Sequence, residues 1–338
     1  MMKLIEYFKQ KLNSIHCFLG LEITDDFIKL VEVKSDKENG FTIHQANMKP
    51  IHANLIKDGL IINLTGVIHI LKTMVKEMNL TTNQVHFMLP SHLVHLHYVK
   101  VPYIRVDDIH KWIYEAMNSN RIILPFKESH YDIIKLNIDS NQNTEVILLT
   151  AQQDEIKVYV KALEAADLKP ISMEIKALSL YRLIHVMEFI DTEKSFLIIE
   201  INEMVAEMSI FEKGTLQSIR VIPVKRSFQK YSSVRNSAKE SVSFKMVDKN
   251  DDVFNYLIQE VKKFVHHYVY SINKGQEKFE YMIISGDIKE LHEIGYAFNQ
   301  MFPYEVKILE GNCLGVQDKD DLLPFFAVPL GLALRGRQ

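Results

Sequence analysis

Cysteine is scarce in this chain of 338 residues: Cys17 and Cys313 stand near opposite ends, in no metal-ligand spacing. That excludes a disulfide-stapled scaffold and a cysteine zinc site, and it fits a reducing compartment. A surplus of positive charge is also missing, since 40 Lys and Arg face 43 Asp and Glu, for a formal net charge of −3. No overall field draws in a polyanion, so nucleic acid is not an expected partner. Long apolar runs are absent as well. The best candidate for a span, residues 322–334, falls short of the roughly 20 residues a spanning helix needs and contains Pro324 and Pro329. Residues 1–12 lack a continuous apolar run and a small-residue cleavage site, so no secretion signal is expected. Walker A, GxGxxG, GxSxG and HExxH patterns do not occur either.

What is present is an ordinary folding composition, 47% hydrophobic and 25% charged, in a chain long enough for two or three domain-sized units. Strand patterns at 18–34, two strands about a short turn, and at 41–48 precede a helix whose stripe is Val67, Ile70, Leu71, Met74, Val75 and Met78. A second β, β, β, α unit opens at Phe196, with strands at 196–201, 204–211 and 216–224 and a turn at Glu212-Lys213-Gly214. Its helix carries Val253, Leu257, Val261, Phe264, Val265, Tyr268 and Ile272, and ends at Lys274-Gly275. This reads as a structural duplication. Between the halves, strands at 85–89, 94–101, 131–138 and 145–151 and a helix from Asp107 form a small inserted α/β subdomain, after which a helix at 154–166 resumes the first lobe.

Paired hairpins at the head of each half suit folds in which hairpin turns grip the phosphates of a nucleotide held between two lobes, as in actin and sugar kinases. The local sequence resembles one branch, the PilM-type proteins of type IV pilus assembly, relatives of the cell-division protein FtsA. The resemblance rests on Gly20-Leu21-Glu22-Ile23, Ile28-Lys29-Leu30-Val31-Glu32-Val33 and Lys57-Asp58-Gly59-Leu60-Ile61 in that order. It continues through Leu89-Pro90, Val101-Pro102, Leu124-Pro125-Phe126, a return helix at 163–170, and the ending Ala327-Val328-Pro329-Leu330-Gly331-Leu332-Ala333-Leu334-Arg335. It implies an actin-like (ribonuclease H-like) two-lobed α/β fold. The expected divisions are an N-terminal segment at 1–15, a first lobe at 16–83 and 153–193, and the insertion at 84–152. The second lobe is expected at 194–224 and 281–338, with a reduced outer subdomain and long helix at 225–280.

The nucleotide motifs depart from the family pattern. Phosphate loops need glycine or small hydroxyl residues so that backbone N–H groups can come close to anionic oxygens. The first hairpin instead reads Glu22-Ile23-Thr24-Asp25-Asp26-Phe27, placing two carboxylates where phosphates are expected, and the second reads Glu200-Ile201-Asn202-Glu203-Met204-Val205-Ala206-Glu207. Like charges about 4 Å apart repel by about 1 kcal/mol in water and about 4 in a partly dry site. The adenosine-side Ser-Gly-Gly is Ser285-Gly286-Asp287, and the stretch at 225–251 is short for a subdomain that covers the base. The degenerate nucleotide positions are thus Glu22, Thr24, Lys29, Glu200, Asn202, Ser285 and Gly286, with no catalytic residue assigned and no cofactor expected. An alternative stays open in which Glu22 and Glu200 replace the family's aspartates as indirect ligands of magnesium in Mg-ATP.

His92, His95 and His97 lack a nearby cysteine or carboxylate and read as ordinary strand residues rather than a metal site. The basic stretch Lys225, Arg226, Lys230 and Arg235 reads as a solvated loop, with anionic lipid as the alternative, and Leu4, Ile5, Phe8 and Leu12 as one face of a docking helix. The resemblance implies a cytoplasmic adaptor at the inner face of the membrane, binding the short cytoplasmic tail of a PilN-like membrane protein beside the inserted subdomain. Contacts to the platform protein and motor ATPases are implied with it, and a homodimer is left open. Segments 85–102 and 109–126 are expected to form the groove, with Tyr103, Trp112 and Leu124 as anchor candidates. An active ATPase or an FtsA-like polymerising protein is the competing reading.

Overall fold

The apolar alternation near the start of the chain becomes two long antiparallel strands, β1 (Ile15–Ile23) and β2 (Phe27–Asp36), in which Glu22 lies opposite Lys29. The computed structural model describes residues 15–36, 40–52, 54–102, 105–126, 129–138, 144–202, 205–224, 250–272, 275, 279–309 and 323–337. Strand β3 (Gly40–Pro50) pairs with β2, and the short strands β4 (Ile56–Lys57) and β5 (Leu60–Ile61) form a hairpin. Its turn residues Asp58 and Gly59 have φ of 51° and 76°, the left-handed pair that a type I′ turn requires and an Asp-Gly dipeptide supplies. Helix α1 (Leu64–Met78) begins where the Asn63 side chain accepts the Gly66 N–H at 3.0 Å, and ends on left-handed Asn79. Strand β6 (Gln84–Met88) then runs parallel to β1.

The inserted unit comprises β7 (Val94–Val101), α2 (Val106–Asn118), β8 (Ser129–Ile138) and β9 (Thr144–Gln152), with strand order β7-β9-β8. Helix α3 (Gln153–Ala165) leads back to β10 (Lys169–Glu174), the fifth strand of the first sheet, and α4 (Lys176–Val186) follows. The second lobe contains β11 (Phe196–Ile201), β12 (Val205–Glu212), β13 (Thr215–Pro223), α5 (Asn250–His267), β14 (Tyr281–Gly286), α6 (Leu291–Met301) and β15 (Glu305–Ile308). Helix α7 (Leu323–Ala333) closes the chain.

The two large sheets are built alike. Their orders, β3-β2-β1-β6-β10 and β13-β12-β11-β14-β15, both place three antiparallel strands beside two parallel ones, which is the expected duplication. The insertion boundary moves, however. It was expected at 84, but β6 is the fourth strand of the first sheet, paired to β1 and β10, so the insertion begins after Met88. The long helix packs as the α element of the second unit: Leu257, Val261 and Phe264 of α5 lie with Leu197, Ile199 and Ile284 of the second sheet. The expected outer subdomain, apart from that helix, and the N-terminal segment and basic stretch lie largely outside the described residues.

The closing helix is apolar all round, as a helix buried between two lobes must be. It packs on β1, β2 and α4, and Val328, Leu330 and Leu332 join Val31, Leu180 and Ile198 in one core. The contact is so close that a Cβ added to Gly20 would stand 1.8 Å from the Pro329 carbonyl oxygen. Ser179 Oγ donates to the Val328 carbonyl at 2.6 Å, tying α4 to the same helix.

Candidate functional site

Both hairpins at the mouth of the interlobe cleft close on themselves. In the first, Thr24 N donates to Phe27 O at 2.9 Å while Phe27 N donates back to Thr24 Oγ1 at 3.1 Å. The second repeats the device, with Asn202 N on Val205 O at 3.0 Å and Val205 N on Asn202 Oδ1 at 2.7 Å. In each turn the two flanking backbone N–H groups are thus bonded within the hairpin itself. The Asp25 carboxylate accepts Asp58 N at 2.6 Å and Gly59 N at 2.9 Å on the β4–β5 turn.

Behind the turns, the cleft holds three buried carboxylates, Glu22, Glu200 and Glu207, the part-buried Asp287, and two buried ammoniums. Lys29 Nζ lies 2.8 Å from Asp287 Oδ2 and 3.3 Å from Glu22 Oε2, and Lys176 Nζ lies 2.8 Å from Glu200 Oε2 and 3.6 Å from Glu22 Oε1. This gives an alternating chain, Asp287, Lys29, Glu22, Lys176, Glu200, that crosses from lobe to lobe twice. Glu207 completes the cluster from the second hairpin and accepts a hydrogen bond from Ser91 Oγ. The duplication explains the arrangement: Glu22 pairs across its hairpin with Lys29, and the matching pair in the second lobe is Glu200 with Glu207. One pair is opposite in charge and the other alike, so Lys176 is the cation that the second pair lacks.

Burial alone would lower the lysines, but the Glu22 and Asp287 carboxylates hold Lys29 above its ordinary value, and Glu200 and Glu22 do the same for Lys176. Glu200 is pushed up to about 7, first by burial and then by Glu22 and Asp287, against the pull of Lys176. Glu207 is raised, chiefly by burial. Carboxylates outnumber ammoniums here, which fits the upward shifts of Glu200 and Glu207.

Of the sequence-derived positions, Glu22, Lys29 and Glu200 meet in this chain, and Ser285 and Gly286 adjoin it because β14 pairs Glu200 with Ser285 and Ile201 with Gly286. Gly286 has φ 145°, and a Cβ there would lie 1.9 Å from Ile201 O, so close strand approach already requires a glycine. Thr24 and Asn202 serve the turns. Sequence reasoning missed Lys176, although a cation at the first position of a helix opposes the macrodipole and signals nearby anions.

A second concavity, of about 540 Å³, lies between the inserted subdomain and the first lobe. Phe87, Leu89 and Val94 line it from one expected segment. Its other walls are β8, β9, α3 and β10, with Leu178 and Arg335, rather than the stretch at 109–126. Trp112 and Leu124 are half-buried against the subdomain's own core of Val101, Ile109, Ile113, Val146 and Leu148, and Arg121 stacks 5.2 Å from the Trp112 ring. Tyr103 lies outside the described residues. His95 packs edge-on against Phe126 and His97 Nε2 lies 3.2 Å from Thr150 Oγ1. Among the described residues, no group of three His, Cys, Asp or Glu is placed to hold a metal, and no helix is long and apolar enough to cross a membrane.

Twin five-stranded sheets of one topology, facing across a charged cleft with a small subdomain inserted in the first, define an actin-like fold. The family model for type IV pilus assembly protein PilM matches residues 20–220, more than half of the chain, and the protein belongs to that family. No curated protein matches the sequence at a significant level. Among solved structures, a PilM-PilN type IV pilus biogenesis complex is similar with a TM-score of 0.72 at 18% identity, covering 95% of this chain and 98% of that one. The ethanolamine utilization protein EutJ from Carboxydothermus hydrogenoformans is more distant, with a TM-score of 0.48 at 12% identity and coverage of 94% and 89%. A Bacteroides thetaiotaomicron protein described as having an actin-like ATPase fold gives a TM-score of 0.46 at 10% identity, with coverage of 94% and 96%.

Proposed function

We propose that this protein is an adaptor at the cytoplasmic face of a type IV pilus or related assembly platform, and that it holds the cytoplasmic tail of a PilN-like membrane protein without turning over ATP. The observation that carries the reading is the double crossing of the cleft by Lys29 and Lys176, which joins the lobes by their own charges. The hairpin turns support it, since Phe27 N and Val205 N at their exits are already bonded to Thr24 and Asn202 side chains.

The groove between the insertion and the first lobe is the tail site in this reading. It has apolar walls and is bordered by β8 and β10, both edge strands of their sheets. β10 is a poor template for strand addition, because Pro170 has no N–H to give, the pairing is irregular between Pro170 and Ser172, and Arg335 Nη1 lies 3.4 Å from Met173 O. Side-chain pockets therefore carry most of the affinity. Ile171, a groove residue 43% exposed, is the test position. Ile171→Glu should weaken binding of the partner's tail peptide at least ten-fold in fluorescence anisotropy while leaving thermal unfolding unchanged. Equal affinity in the variant would move the tail elsewhere.

A further inference from the structure

Two guanidiniums and one carboxylate meet at the floor of this groove. Glu174 is taken by buried Arg182, whose Nη1 and Nη2 reach its two oxygens at 2.6 and 2.5 Å in a bidentate pair. Arg335 shares only Oε1, at 3.2 Å, and its side chain is 37% exposed in the groove wall. Its Nη1 makes the contacts to Glu174 and Met173; among the described residues its other donors have no partner. Beside them the buried His86 is held neutral, first by burial and then by the fields of Arg335 and Arg182, and its Nδ1 lies 2.6 Å from Ser172 Oγ. The floor thus keeps one positive charge that no internal carboxylate balances. The other groove carboxylates, Asp132 and Glu164, are exposed on β8 and α3, where water screens them.

Resting on the tail-site reading above, we propose that Arg335 is a specificity-determining residue that receives an Asp or Glu side chain of the docked segment. A half-exposed guanidinium with free donors, backed by apolar walls, presents a planar fork that matches a carboxylate and rejects a lysine. Glu174 does not consume the fork, because it gives Arg182 the short bidentate contact and Arg335 only one longer contact to Oε1.

The test is an array of labelled octapeptides of alternating valine and threonine, with Asp, Asn, Leu or Lys placed at each position in turn, measured by anisotropy against the full chain. At one position, Asp should bind at least ten-fold better than Leu or Asn, with Lys weakest, and the Asp preference should fall as salt rises. Arg335→Met should abolish the preference, and Arg335→Lys should retain part of it. If Arg335→Met does not fold, the salt dependence of the Asp and Asn peptides on the unaltered protein decides alone. Binding without a preference for Asp, or a preference that persists in Arg335→Met, overturns the role of Arg335 and leaves the groove as the tail site. Failure of every peptide to bind overturns both.

Discussion

Lys176 occupies the first position of α4, where the helix dipole disfavours a cation by about 0.3–1 kcal/mol, and it is buried with two carboxylates within 3.6 Å. Its removal strands Glu22 and Glu200 in a dry cleft. Lys176→Met should therefore destabilise the protein by about 3–5 kcal/mol in denaturant titration, and adding Glu200→Gln should restore part of the loss. Titration gives a second prediction. Glu200 binds its proton more tightly folded, at about 7 against an ordinary 4.5, so its contribution is whole below pH 4.5 and is lost as pH rises to 7. His86 works the other way: lowered to about 4 from 6.5, its contribution is whole above pH 6.5 and is lost as pH falls towards 4. The two slopes oppose each other between pH 4.5 and 6.5. Glu200→Gln should leave the His86 slope uncovered, so that its stability gains about 1.4 kcal/mol per pH unit relative to the parent over that window. Parallel curves would show that Glu200 holds no extra proton in the fold.

At the scale of elements, the closing helix is the test piece, because β1 and α7 touch backbone to backbone at Gly20. Gly20→Ala should cost about 3 kcal/mol, the upper end of overpacking, read by thermal unfolding, since a rigid carbonyl cannot yield as a side chain can. Elements of this kind were largely legible in the sequence. Alternating or β-branched runs marked β1, β2 and β11 to β13, and Glu212-Lys213-Gly214 marked a turn, whereas the short β4–β5 hairpin on Asp58-Gly59 was not read. The insertion boundary was not, because β6 reads as a strand wherever it pairs, and only its hydrogen bonds to β1 assign it to the first sheet. Trp112 shares an apolar helix face with Ile109 and Ile113 in the sequence, and its half-burial against that subdomain's core follows from the pattern.

At the scale of the whole molecule, the chain that joins the lobes was legible only in part. Glu22, Lys29 and Glu200 stood out as departures from a phosphate-binding pattern, but that Lys29 meets Asp287, 258 residues away, comes from the folding of two lobes onto one helix. In the proposed reading those contacts join the lobes without a nucleotide, and the account then predicts that tail binding is the same with and without Mg-ATP. The most direct test is calorimetric titration of the purified protein with Mg-ATP, run beside thermal melting, because a ligand that binds only the folded state must raise its stability. No heat and no shift in Tm up to millimolar Mg-ATP is the predicted result. Micromolar binding with a clear rise in Tm would contradict it and would require Lys29 and Lys176 to yield their carboxylates to a nucleotide.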